Sequence, residues 1–191
     1  DAIKRLGWQM LLDPQLQGQI VLPASPRVVI ELADRLDQPD ALQRLRRQAL
    51  TFDDRQAVNW LLKGEAKVVV LPLQRCLSLL RRDPRMDVIL PNQGAPLHWT
   101  LLIRPKDTKE PLPQQWVELA WREPMRRRLL QEGWRAPLPT AVLDVDRLQL
   151  PERWRSLVLP PDDLWSRCWS LPPLSPEQRI NLEQRWLASA P

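Results

Sequence analysis

The chain has 191 residues, 43% hydrophobic and 27% charged, which is enough apolar material for a core under an ordinary solvated surface. Its formal net charge is +5, ten residues are tryptophan, and only one is histidine. No apolar run reaches the length of a membrane span, and no apolar segment follows the charged start Asp1–Arg5.

The predicted elements alternate. Gly18–Pro23 reads as a short buried strand. Ser25 and Pro26 then open a helix with an apolar face of Val28, Val29, Leu32, Ala33 and Leu36. Asp40–Leu50 reads as a second amphipathic helix with Leu42, Leu45 and Leu50 inward. Asp53 or Asp54 caps a third, which stops at Gly64. Ala66–Leu71 is β-branched and continuous, as a strand covered on both faces should be. Leu73–Arg82 reads as a helix, and Met86–Leu90 and Leu97–Ile103 as strands. The helix pattern from Leu112 to Gln131 must kink or split at Pro124 and stop at Gly133. Residues 135–174 are loop-rich, with helical pieces near Pro151–Trp154 and Pro161–Cys168. Ser175 to Gln178 is a capping box that starts a last helix through Leu182 and Trp186. The alternation predicts an α/β fold with a mainly parallel sheet flanked by helices and a helical C-terminal tail.

The positive charge gathers in arginine runs, Arg44 to Arg47, Arg81–Arg82 and Arg126–Arg128, each at the end of a predicted helix. There cations complement the helix dipole, so a solvated helix face is favoured over a nucleic-acid footprint. The tryptophans mostly recur beside apolar residues at helical spacing, which makes them core or domain-face residues and not base-stacking platforms. Cys76 and Cys168 lie far apart with no second histidine or CxxC, so no metal site is expected. A disulfide between them and two buried thiols both fit, the thiols being the commoner outcome.

Three separated blocks resemble the spermidine/putrescine-binding family of periplasmic solute-binding proteins. Gly7–Ile20, with Trp8, Pro14 and Gly18, is similar to that family's entry into its second lobe. Gly64–Glu65, then Pro91-Asn-Gln-Gly94 and the run to Pro105, resembles its G-E step and P-x-E-G turn before a crossing strand. Gly133 to Pro137, Leu150–Pro151, Leu159 to Pro161 and the end through Trp186 follow its later turns and terminal helix. The resemblance implies a periplasmic-binding-protein type II lobe over residues 1–100. It makes 101–140 a crossing strand and helix that return to a first lobe missing from this chain, and 141–191 a tail packing back on the second lobe. It also implies delivery of a small-molecule solute to an ABC permease in the periplasm, with the first lobe or a second copy covering the crossing segment.

A polyamine needs carboxylates for its ammonium groups and aromatic faces for its methylenes. The family's acidic pair falls at Ser25 and Val28, and its aromatic after the second strand at Pro72. Its tryptophan and aspartate fall at His98 and Thr100, or one residue away at Trp99. No carboxylate stands at these positions. Ser25 at a helix start beside Arg27 instead suits an anion, although the same pair also serves as an ordinary cap and a solvated charge. The candidate ligand-binding residues are therefore Ser25, Arg27, Gln74, His98, Trp99 and Thr100.

No nucleophile, phosphate-loop, zinc-protease or paired-carboxylate motif occurs, so neither an enzyme nor a cofactor is expected. The alternatives to solute transport are an interaction protein on the same scaffold and a basic nucleic-acid-binding domain. Nucleic-acid binding would appear at low salt and collapse as counterion release weakens. The expected outcome is no retention of duplex or single-stranded oligonucleotides at physiological ionic strength; tight binding there, in a filter or mobility assay, would favour the nucleic-acid reading.

Overall fold

The structure, a computed structural model, describes residues 6–101, 103–111 and 113–191. In chain order its elements are β1 (Ile20–Leu22), α1 (Pro26–Ala33), α2 (Ala41–Gln48), β2 (Ala49–Phe52), α3 (Ala57–Leu62), β3 (Val68–Val69) and α4 (Leu73–Arg82). They are followed by α5 (Gln114–Trp121), α6 (Met125–Gln131), α7 (Thr140–Leu143), α8 (Glu152–Val158), α9 (Asp162–Trp165) and α10 (Pro176–Ala188). Short 3-10 turns occupy Gly7–Leu12, Pro14–Leu16 and Asp144–Gln149. The fold is α/β with a small parallel sheet ordered β2-β1-β3.

Contacts divide the chain into two compact units, with breaks at 72, 88, 96 and 166; the resemblance places its boundaries at 100 and 140. The first unit comprises Asp1–Pro72, Ile89–Pro96 and Arg167–Pro191, and the second Leu73–Val88 and Leu97–Ser166.

In the first unit β1 lies in the middle, hydrogen-bonded to β2 on one side and β3 on the other. Its three residues are buried, and they alternate between faces as a strand must. Ile20 and Leu22 pack with Val29, Leu32 and Ala33 of α1 and with Leu45 of α2. Val21 packs on the other face with Ala57 and Trp60 of α3. The third strand repeats the alternation, Val68 and Val70 on the first face, Val69 and Leu71 on the second. Helices on both faces explain why these strands are apolar runs without a polar side.

The second expected helix ends two residues early. Ala49–Phe52 is a strand, and Leu50, expected inward, is 37% exposed. Pairing decides this. Thr51 and Phe52 lie opposite Val21 and Leu22, and the register slips between Ile20 and Val21, which leaves Leu50 as the extra residue of a bulge. The two strands expected at Met86–Leu90 and Leu97–Ile103 do not form among the described residues. Neither run joins the three-stranded sheet, and a segment that pairs with no neighbour gains no ladder bonds.

The chain returns to the first unit at a tight seam. The Trp8 indole donates to the Gly94 carbonyl at 2.8 Å, and the Trp169 amide donates to Ala95 at 3.2 Å. Gly94 has φ +81°, and a Cβ there would meet the Arg167 carbonyl oxygen at 2.3 Å. Only glycine meets both demands.

The second unit gathers Leu77 and Leu80 of α4, Leu130 of α6, Leu143 of α7, and Trp154 and Val158 of α8. The expected helix at 112–131 is split at Pro124 into α5 and α6, and α6 stops before Gly133 at φ +83°. Asp146 is buried and receives Arg126 at 2.7 Å. Arg147, Arg153 and Arg155 donate to the carbonyls of Leu159, Leu80 and Leu150, so arginine satisfies the backbone of this loop-rich region. Leu32→Ala should destabilise the protein by about 2–5 kcal/mol, whereas Leu101→Ser, at a side chain 71% exposed, should stay within about 0.5 kcal/mol. Urea unfolding of the two variants checks the pair.

Candidate functional site

Open parallel sheets take ligands outside the carboxyl ends of their strands, where successive connections leave in opposite directions. In the first unit that edge is built by Pro23–Ser25 after β1, Asp53–Asp54 after β2 and Val70–Pro72 after β3. The first strand sits centrally because the chain leaves it toward β2 and then crosses to β3.

Ser25 stands at this edge as the N-cap of α1, with extended backbone and an exposed side chain. Its hydroxyl makes no cap hydrogen bond, contrary to the capping role expected of it. Pro26 follows and brings no N–H, so the cap has one fewer donor to satisfy. The amide of Ala24 is taken by the Asp54 carboxylate at 3.2 Å. An anion bound here would therefore be held by Ser25 and Arg27, not by a ring of amides. Asp53 turns inward along its own chain and accepts the Arg55 and Gln56 amides at 2.7 and 2.9 Å. It closes the turn before α3, but the N-cap of that helix is Gln56, so neither Asp53 nor Asp54 is the cap expected of them.

Arg27 is half-buried, and its Nη2 donates to the carbonyl of Pro172 in the C-terminal segment. Its Nε is buried with no hydrogen-bond partner. The guanidinium at the carboxyl edge is thus committed to the chain's own tail. Sequence periodicity cannot register that contact, because its partner lies 145 residues away.

The other four candidates belong to the second unit. Gln74 lies in the first turn of α4 and its amide donates to the Gly133 carbonyl at 3.2 Å. That contact holds α4 to the end of α6, which gives Gln74 a structural task. His98, Trp99 and Thr100 are consecutive and exposed, in a segment without secondary structure.

What sequence reasoning missed is the pairing of the two residue types that dominate the composition. Arg35 stacks on Trp169 at 3.6 Å, Arg46 on Trp186 at 4.0 Å and Arg135 on Trp165 at 3.9 Å. Arg81 and Arg153 both lie over Trp154, at 4.9 and 5.5 Å. A surplus of both arginine and tryptophan was the available signal, but apart from the neighbours Arg153 and Trp154 the partners are distant in sequence. Stacked guanidiniums are attracted by the ring faces and are partly withdrawn from solvent.

Among the described residues no group of histidine, cysteine, aspartate and glutamate could hold a metal ion, and no helix is long and apolar enough to cross a membrane. Cys76 and Cys168 are half-buried thiols. Burial pushes the Cys76 thiol up to about 11, against the smaller opposing pull of Arg75. Comparison with family models, curated proteins and solved structures finds no match to the chain.

The raised thiol predicts slow chemistry at Cys76. At pH 8 its thiolate fraction should be about a hundredfold below that of an ordinary cysteine. Iodoacetamide labelling read by peptide mass spectrometry should modify Cys76 slowly in the folded protein and readily in urea; equal rates in the two states would contradict the burial.

Proposed function

We propose that the protein is an extracytoplasmic solute-binding component of an ABC importer, built on a periplasmic-binding-protein type II lobe. One observation carries the reading. A parallel sheet with its first strand in the centre, covered on both faces, is completed by chain that leaves and returns twice, at Ile89–Pro96 and Arg167–Pro191. The ordered resemblance to the spermidine/putrescine-binding family adds to it. Binding would work by closure of two lobes over the solute, which hides it from water and presents the closed form to the permease.

The ligand proposed is a small solute of anionic character at the carboxyl edge, near Ser25 and Arg27. Polyamines fit poorly, because Ser25, Val28, Pro72 and Thr100 supply no carboxylate. The periplasm is the compartment this role requires.

A second reading is favoured by a separate observation. Trp99, Leu101, Ile103, Trp116 and Leu119 of the second unit are each more than half exposed, at 53, 71, 80, 76 and 53%. Apolar side chains that open to water suit an interaction protein on a degenerate binding scaffold, or a surface that a first lobe or a second copy would cover.

The test is a thermal-shift screen of small anions and polyamines, followed by calorimetry on any hit. Putrescine and spermidine should leave Tm unchanged, and a binding anion should raise it in the wild type but not in Arg27→Ala. Micromolar polyamine affinity would overturn the assignment of the edge residues. A screen without any hit would favour the interaction reading.

A further inference from the structure

We propose that the C-terminal segment Ser170–Pro191 is a detachable strap along α1, from Arg27 at its start to Asp34 at its end, which opens and closes while the sheet itself stays folded. Its helix, α10, has 13 residues and none of them is buried. It starts with its own capping box, Ser175 and Gln178 exchanging side-chain and backbone bonds, so its first turn needs no help from the rest of the unit. A link without secondary structure, with prolines at 172 and 173, joins it to the seam at Trp169. Such a link is stiff and survives detachment without a fold of its own to lose.

What holds the strap is mostly aromatic and polar: Trp186 is partly buried against the core of the unit and Ser189 is buried, while the other anchors lie near the surface. Trp186 meets Phe52 edge-on, with ring centroids 5.3 Å apart, and takes the Arg46 guanidinium on its face. Arg46 also donates to the Trp186 carbonyl and to Ser189 Oγ, the latter at 2.9 Å. Arg185 pairs with Asp34 through two contacts of 2.5 and 3.2 Å, and both side chains are nearly half exposed. Arg27 reaches the Pro172 carbonyl. Few apolar contacts and solvent-exposed polar ones are the features of the elements that open locally before a domain unfolds. Salt weakens the exposed pair.

Two of the anchors lie at the carboxyl edge. Phe52 is the last residue of β2 and pairs with Leu22, the last of β1, and Arg27 stands in the first turn of α1. Opening bares Phe52 and releases the Arg27 guanidinium from the tail. That this matters for a solute rests on the function proposed above, whereas the opening itself does not.

Hydrogen exchange of the whole chain, without added solute, tests the opening. Amides of 176–188 should exchange at least about tenfold faster than those of 20–33, and faster still in added sodium chloride. Arg46→Ala should raise the rate at 176–188 about tenfold further and leave 20–33 unchanged. Asp34→Asn, which keeps every aromatic contact, should raise it less. Exchange of 176–188 and 20–33 at one common rate would overturn the proposal, as would loss of protection throughout the unit in Arg46→Ala. Rates at 176–188 that neither variant changes would overturn it too. A screen that finds no solute leaves each of these outcomes readable.

Discussion

Everything in the first unit hangs on three residues that have no exposed side. Ile20, Val21 and Leu22 are hydrogen-bonded to strands on both edges and covered by helices on both faces. A strand so placed must be apolar at every position, and its alternation assigns each flanking helix to a face. It also fixes the register of β2, because Val21 and Leu22 accept Thr51 and Phe52 as partners and force the bulge at Leu50. The position of the carboxyl edge, with Ser25 and Asp54 beside it, follows from that register.

The second organising interaction is the stacking of arginine on tryptophan. A chain with ten tryptophans and one phenylalanine has few compact aromatic groups with which to fill gaps. The indoles are too large to bury whole in small cores, and only Trp8 and Trp154 are buried. The others keep a face or an edge near the surface; three stacking contacts place guanidiniums on such faces, at Trp165, Trp169 and Trp186, and two more lie over the buried Trp154. The arrangement shelters apolar ring surface and gives the positive charge a local partner that is not an acid. The basic composition is thereby tied to the fold as well as to solubility.

In the second unit arginine has another use. Helices α7, α8 and α9 are short, and short helices leave a large share of their carbonyls without intrahelical partners. Arg147 donates to Leu159, which ends α8, Arg155 donates to Leu150, which ends the 3-10 turn before it, and Arg126 reaches both Asp146 and the Trp121 carbonyl. Replacing one of these arginines by lysine would keep the charge and lose the fork that reaches two acceptors.

Local chemistry determined a good deal by itself. The capping box at Ser175 and Gln178, the helix stops at Gly64 and Gly133, the break at Pro124 and the amphipathic face of α1 depend on residues within a few positions of one another, so the sequence carries them complete. The strands at 20–22 and 68–69 were legible for a related reason, since cover by helices on both faces leaves an unbroken apolar run. Tertiary structure decided what depends on a distant partner. Thr51 and Phe52 became a strand because β1 offered an edge, while Leu97–Ile103, with an equally strand-like pattern, found none among the described residues. Arg27 was legible as a cation at a helix start, but not as a donor to Pro172, nor could Gln74 be seen to brace Gly133. A side chain's task is set by what lies within about 3 Å of it, and for these residues the neighbour arrives from far along the chain.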